Sequence, residues 1–400
     1  MSGVRQRKDL AGKGTAVLKD LTQASASISN DPVNPTTTHF EFMVLPGRSV
    51  QGTHLRTGDR LNYTINGFNA LVFCAIVTVT VTAAKGLDTL IWIADHSLQL
   101  AVASILISTT MAALLYAASF RSSGGSSSAT TTNAYSGVLL AKGGNSGYPI
   151  YDFWMGRELN PRMFWGRLDL KYLCELRPGL IGWTLLNIAF CAKQFSLLGY
   201  VTTSMLAVVS FQAYYVIDAL WNEEAILTTM DITTDGFGFM LVFGDLTWVP
   251  FVYTLQSRYL SMFPQDLSLL YLCGVVALNM LGLWVFRGSN GQKNAFRSNP
   301  NGDSVKHLEY MTTKSGSKLL VTGWWGCARK INYTGDWLMA LAWCLPCGFD
   351  TPIPYFYVIY FAVLLIHRAH RDEIKCRSKY GSDWDIYRKK VPYLFLPYVW

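Results

Sequence analysis

"MDITTDGFGFMLVFGDLTWVPF", residues 230–251, is apolar enough to enter a bilayer, yet it carries Asp231, Asp235, Asp245 and three glycines. A carboxylate at the bilayer centre costs about 3 kcal/mol or more and is seldom there without a role. The stretch therefore reads as a membrane segment with a purpose. Its glycines allow close packing. Asp231 and Asp235 are candidates to line a substrate pocket or a proton path. For Asp235 and Asp245, helix capping or a bond to nearby backbone is the competing role.

The rest of the chain agrees with that class. It has 400 residues, half of them hydrophobic, 14% aromatic and 15% charged. A soluble domain carries about 25% charged residues. The apolar surplus falls in runs, which predicts an all-α, polytopic transmembrane bundle. Eight spans are expected, at 66–84, 97–120, 179–200, 201–221, 236–253, 266–286, 336–349 and 350–366. Residues 1–43 are polar, basic and without an apolar core, so they read as a disordered segment and not as a signal peptide. Residues 44–400 form the membrane domain, and "RSSGGSSSATTTNAYSG" (121–137) is a flexible linker within it. With the C-terminus in the cytosol, 31 of the 34 Lys and Arg residues fall on the cytosolic side, as the positive-inside rule requires. No internal repeat is visible, which argues against an inverted-repeat transporter.

The eight cysteines sit mostly in spans or on the cytosolic side and are expected to be free thiols. Cys344 and Cys347 form a C-x-x-C without a second pair or a nearby His, and His367 and His370 lack a third ligand. No metal site is expected. No nucleophile elbow supports hydrolysis.

Two basic segments stand out on the cytosolic side. The loop 287–335 holds Lys293, Arg297, Lys314, Lys318, Arg329 and Lys330, with Phe296, Trp324, Trp325 and Tyr333 among them. It is either a solvated loop against anionic headgroups or a site for a polyanion with a planar ring, such as a nucleotide. Nucleic acid is not expected, because both loop ends are tied to the membrane. The tail "HRAHRDEIKCRSKYGSDWDIYRKKVPY" reads as a helix from about 367 to 380, ended by Gly381. Arg368, Asp372, Cys376 and Lys379 share one face of it. The two segments can wall one pocket. G-x-G-x-x-G and the P-loop are absent, so a nucleotide site here is not of Rossmann type.

These strings resemble the sterol reductase family, membrane enzymes that reduce sterol double bonds with NADPH. "TTMDITTDGFGFMLVFGDLTWVPFVYTLQSRYL" (228–260) and "LLIHRAHRDEIKCRSKYGSDWDIYRKKVPYLFLPYVW" (364–400) are similar to its two signature regions. "GGNSGYPIYDFWMGRELNPR" (143–162), "KNAFR" (293–297), "KLLVTGWWG" (318–326) and "INYTGDW" (331–337) resemble further family blocks. The core "TTDGFGFMLVFGDLTWVPF" is most similar to fungal Δ14-sterol reductases of ergosterol synthesis. The family is expected to have about ten spans. Here "NPTTTHFEF" (34–42) runs directly into a block that normally follows two spans, so the first pair of helices is expected to be missing.

The resemblance implies a cytosol-facing NADPH pocket at Lys293, Arg297, Leu320, Trp325, Asn332, Tyr333, Arg368, Asp372, Cys376, Arg377, Ser378, Lys379, Tyr380 and Tyr387. It implies Tyr215 as the proton donor, with Asp372 tuning or resupplying it. Reduction of the C14=C15 bond in the endoplasmic reticulum membrane follows, with a sterol as substrate, bilayer lipid around the chain and other enzymes of sterol synthesis as partners. The alternatives are an inactive sterol-binding scaffold or reduction of another sterol double bond, C7 or C24(28).

Overall fold

A computed structural model describes residues 45–55, 58, 60–121, 138–164 and 166–399. The expected disordered segment 1–43 and the linker, apart from Arg121, lie outside the described residues. A two-stranded antiparallel hairpin comes first, β1 (Arg48–His54) and β2 (Arg60–Ile65). Among the described residues, seven helices are long and apolar enough to cross a membrane. They are α1 (Gly67–Lys85), α2 (Ser97–Ala118), α3 (Leu170–Leu198), α4 (Thr203–Trp221), α5 (Phe239–Met262), α6 (Leu269–Ser298) and the last, Ile353–Tyr380.

Two expectations change. The stretch 336–349 is part of a helix, α7 (Ile331–Cys344), but at 14 residues it is about 21 Å long. It is a buried core helix, shorter than the seven, yet the chain changes side across it, because the C-terminal ends of α6 and α8 both pack on the hairpin that precedes it. Residues 287–298 are not loop. They are the last turns of α6, because Phe296 is buried there against Leu308, Leu320 and Trp325 and packing outweighs the polar composition. The chain then forms a small hairpin, β3 (Tyr310–Thr312) and β4 (Lys318–Leu320). The tail helix is one rod with the last span, α8 (Phe356–Tyr380), and Gly381 ends it at φ 55°. After Gly381 comes α9 (Ser382–Lys390).

The distribution of side chains is that of a membrane protein. Leu270, Ile107, Trp284 and Val363 are exposed, while Gln194, Gln212, Gln256 and Asn187 are buried. In water this surface would be a large apolar patch. In lipid it is the expected exterior, and the amides bind helix to helix. Gln212 Oε1 accepts from Trp183 Nε1 at 3.0 Å and from Asn187 Nδ2 at 2.7 Å. Gln256 Nε2 reaches the Pro354 carbonyl at 3.1 Å. These bonds join α3, α4, α5 and the start of the last span. The lipid-facing α1 is anchored at its beginning, where Gly67 N donates to the buried Glu223 carboxylate at 2.7 Å. An acid at a helix N-terminus is favourably placed.

Two helices contain wide π-helical turns, Glu175–Ile181 in α3 and Gly244–Trp248 in α5. Pro178 lies in the first and Pro250 just beyond the second. A proline lacks the N–H an α-helix needs, so the ladder shifts register there. The two turns pack on each other, close enough that a Cβ on Gly179 would lie 3.3 Å from the Asp245 carbonyl oxygen.

Two of the three glycines of the opening stretch have a definite use. Gly236 and Gly238 lie against the backbone of Met155 and Gly156, and Phe237 N donates to the Glu158 carbonyl at 2.9 Å. A methyl group at Gly236 would overlap the Gly156 carbonyl. The close packing is thus against a loop, backbone to backbone. Gly236→Ala is expected to exceed the about 1–3 kcal/mol of ordinary overpacking, since backbone cannot step aside. Gly274, in α6, has open space around it, so Gly274→Ala is expected to be neutral or to stabilise by up to about 1 kcal/mol. Thermal unfolding of the purified variants in one detergent checks both, and equal Tm values would refute the account.

Candidate functional site

The C-terminal ends of α6 and α8, the hairpin β3–β4 and the start of α7 converge on one region. Trp325 is buried, and its Nε1 donates to the Ser289 carbonyl at 2.8 Å. Lys293, one turn beyond Ser289, sets its ammonium 4.2 Å above the Trp325 ring. Leu320 packs with Trp325 and Phe296, so it holds the Trp in place. Arg297 is exposed and makes no ion pair among the described residues. Lys330 is bonded to Asp372 on α8, and Cys376 Sγ lies 3.7 Å from the same carboxylate. Lys293, Arg297 and Lys330 are near enough to repel one another electrostatically. A polyanion would relieve that repulsion.

The last residues fasten the region. Arg329 N and Lys330 N donate to the Tyr393 and Leu394 carbonyls at 3.0 and 2.8 Å. Arg329 reaches Glu373 at 3.1 Å, and Trp384 Nε1 donates to the other Glu373 oxygen at 3.3 Å. Tyr387 packs with Trp384 and Val391 against Cys376 and Tyr380. Burial raises its phenol above the ordinary tyrosine value, Arg329 opposing. It therefore stays neutral. Arg377, Ser378 and Lys379 are exposed, with Arg377 paired to Asp385 at 3.0 Å.

Deeper in the bundle the acids of the opening stretch meet the last helix. Arg368 binds Asp231 at 2.8 Å, and Arg371 binds both oxygens of Asp235. Lys171, fully buried, donates to the carbonyls of Asp231 at 2.5 Å and Asp235 at 2.7 Å. Both carboxylates are thus ion-pair partners of α8. Asp245 is buried on its π-helical turn and has no hydrogen bond or ion pair among the described residues. Glu175 on the facing turn is the charge it feels most strongly.

Tyr215 lies in the central aromatic cluster, 5.3 Å from Trp343 and 6.5 Å from Phe286 between ring centroids. Protein surrounds it, yet it keeps some accessible surface, as does Tyr253. Both therefore border an internal space. Asp336, on α7, is the charged side chain that acts most strongly on the Tyr215 hydroxyl and stands within interaction distance of it. Asp372 has its own partners, as described. Asp336 lies one turn after Asn332, so the two share a face of α7. The Oδ1 atoms of both are buried and without a hydrogen-bond partner, while Asn332 Nδ2 donates to Asn290 at 3.3 Å. A buried orphan amide oxygen needs a donor. The carboxamide of a nicotinamide is one, so the residues present fit such a cofactor.

Asp336, Lys171, Glu175, Arg371 and Glu373 were not singled out from the sequence. Asp336 had one usable signal, an acid inside the apolar run of α7. The partners of the others are distant in the chain and left no mark in local spacing.

A family model described as the ergosterol biosynthesis ERG4/ERG24 family matches residues 37–400. The Delta(14)-sterol reductase erg24 of Schizosaccharomyces pombe is 50% identical over 356 residues, 88% of this chain and 80% of that protein. The Delta(14)-sterol reductase of Ascobolus immersus is 49% identical over 357 residues, 88% of this chain and 80% of the relative. The Delta(14)-sterol reductase TM7SF2 of Mus musculus is 48% identical over 358 residues, 89% of this chain and 82% of its own length. With a match over 364 of 400 residues and relatives this similar along most of both chains, the protein belongs to the ERG4/ERG24 family of ergosterol biosynthesis.

Proposed function

We propose that this multi-pass membrane protein reduces the C14=C15 double bond of sterol intermediates in ergosterol biosynthesis, using NADPH. The observation that carries the reading is the identity of 48–50% with relatives named Delta(14)-sterol reductase. The site supports it. Lys293 and Arg297 are four residues apart at the end of α6, with Lys330 beside them, and give a 2′-phosphate its counter-charge. Trp325 offers an aromatic face and Asn332 an amide oxygen. NADPH, when bound, supplies the hydride that no side chain can. Tyr215 holds the proton at its hydroxyl, at the edge of an internal space that a flat sterol would enter. Protonation at C15 leaves a tertiary cation at C14, the carbon that takes the hydride. The ion pairs of Asp231 and Asp235 fix α8 and, through it, the cofactor region. We place the protein in the endoplasmic reticulum membrane with its C-terminus in the cytosol, since that orientation puts nearly all the Lys and Arg on one side.

Expression in a fungus lacking its own Δ14-reductase tests the reaction. Sterols with both the Δ8 and Δ14 bonds are expected to disappear. Their persistence, with the protein abundant in the membrane, would overturn the reading.

Cofactor choice has a separate test. Each charge-assisted contact contributes about 1.5–3 kcal/mol. Replacing Lys293 and Arg297 together by Ala is expected to raise the KM for NADPH at least tenfold and to narrow its advantage over NADH. An unchanged ratio of the two cofactors would remove these residues from the phosphate site.

A further inference from the structure

We infer that Asp336 supplies the proton delivered through Tyr215, the part that family resemblance points to Asp372 for. The inference rests on the reaction proposed above.

Three observations converge. First, Asp336 is the acid beside Tyr215: of the charged groups around the hydroxyl it acts on it most strongly, from within interaction distance. Second, Asp336 is only 9% exposed, has no ion-pair partner and keeps one oxygen, Oδ1, without a hydrogen bond. An ionised carboxylate in that setting would lack the donors it needs. A carboxyl holding a proton fits it, because the protonated group carries no charge to solvate. Third, Asp372 is committed elsewhere. Lys330 binds it, Lys293 acts on it and Cys376 lies against it. A carboxylate surrounded by cations is held as the anion and is a poor acid.

The position on α7 gives the arrangement a use. Asn332 and Asp336 are four residues apart, about 6 Å along the axis. An amide oxygen for the cofactor and a proton-holding group for the tyrosine stand on the same helix face. Tyr215, Tyr253, Tyr357 and Arg368 are the titratable or charged groups that face Asp336 from the helices around it. Arg368 is the cation among them.

The step balances as follows. The π electrons of C14=C15 take the Tyr215 hydroxyl proton and form the new C15–H bond. The phenolic oxygen takes the Asp336 proton as it loses its own, so a phenolate does not persist. The positive charge at C14 is quenched by the hydride from NADPH. Asp336 is left as a carboxylate within the field of Arg368. A proton from the cytosol restores it before the next turnover.

The test uses the full-length protein in lipid nanodiscs, with wild type and the Asp336→Asn, Asp336→Glu, Asp372→Asn and Tyr215→Phe variants. Infrared difference spectra of wild type minus Asp336→Asn, without sterol or NADPH, are expected to contain the C=O stretch of a protonated carboxyl. The subtraction separates it from Glu175 and Asp245. The same subtraction with Asp372→Asn is expected to lack that band, and Tyr215→Phe is expected to shift it. In turnover, Asp336→Asn is expected to lose about 10²–10⁴ in kcat while NADPH binds as in wild type. Asp336→Glu, which keeps the acid, is expected to recover part of the rate. Asp372→Asn is expected to weaken NADPH binding. Unaltered NADPH binding in Asp336→Asn also certifies that the variant is folded.

A protonated-carboxyl band assigned to Asp372 and not to Asp336 would overturn the inference. So would near wild-type kcat in Asp336→Asn. If wild type reduces no sterol at all, the reaction reading fails, and the infrared band alone decides whether Asp336 is the proton-holding group.

Discussion

A carboxylate inside a bilayer must be given a cation, and the rest of the structure is arranged around that requirement. Asp231 and Asp235 meet Arg368 and Arg371, about three turns of helix from the C-terminal end of α8. Removing one partner of such a pair costs about 3–5 kcal/mol, because the other charge is left buried. The pairs therefore act as a lock between two parts of the chain that are more than 130 residues apart. Lys171 tightens it from a third side by binding backbone carbonyls of the same stretch. It neutralises local charge without taking a carboxylate away from an arginine.

Fixing α8 fixes the site. Arg368 and Asp372 are one turn apart, so the helix that meets Asp231 also presents Asp372 to Lys330. Lys330 stands just before α7, and α7 carries Asn332 and Asp336 into the bundle. A residue on the lock and a residue beside Tyr215 are thus linked through two helices and three ion pairs. The C-terminal strap closes the arrangement. Its backbone bonds to Arg329 and Lys330 hold the entry to α7.

Much of this was legible in the sequence, for physical reasons. Apolar runs of about 20 residues mark spans without reference to tertiary structure, so seven of the expected segments coincide with long helices. Gly381 marks the end of α8 because its φ of 55° suits glycine. Asp372 and Cys376 share a face by helical spacing alone. Two features were not legible. The end of α6 looks like loop by composition, and only burial of Phe296 under the hairpin keeps it helical. The partner of Tyr215 is 121 residues away, and nothing in its neighbourhood distinguishes Asp336 from Asp372. The family resemblance pointed to Asp372 for that part.

The structure separates two kinds of acid. Toward the C-terminal end of α8, Asp372 and Glu373 are held by cations and donors, as suits the cofactor pocket proposed above. In the interior, among the described residues, Asp245 has no side-chain hydrogen bond or ion pair, Asp336 Oδ1 has no hydrogen-bond partner, and Tyr215 keeps some accessible surface. A fold gains nothing in stability from leaving a buried oxygen unpaired, which costs about 1–3 kcal/mol. Such atoms persist where a bound molecule or a mobile proton completes them. The division follows the chemistry of adding hydrogen to an unactivated double bond. The charged partner must be held by fixed ions near water, and the proton must wait on a neutral group away from it. If both acids were ionised, the bundle would have counter-charge but nothing to donate. If both were neutral, the cofactor pocket would lose the anion that orders Lys330 and restrains Lys293.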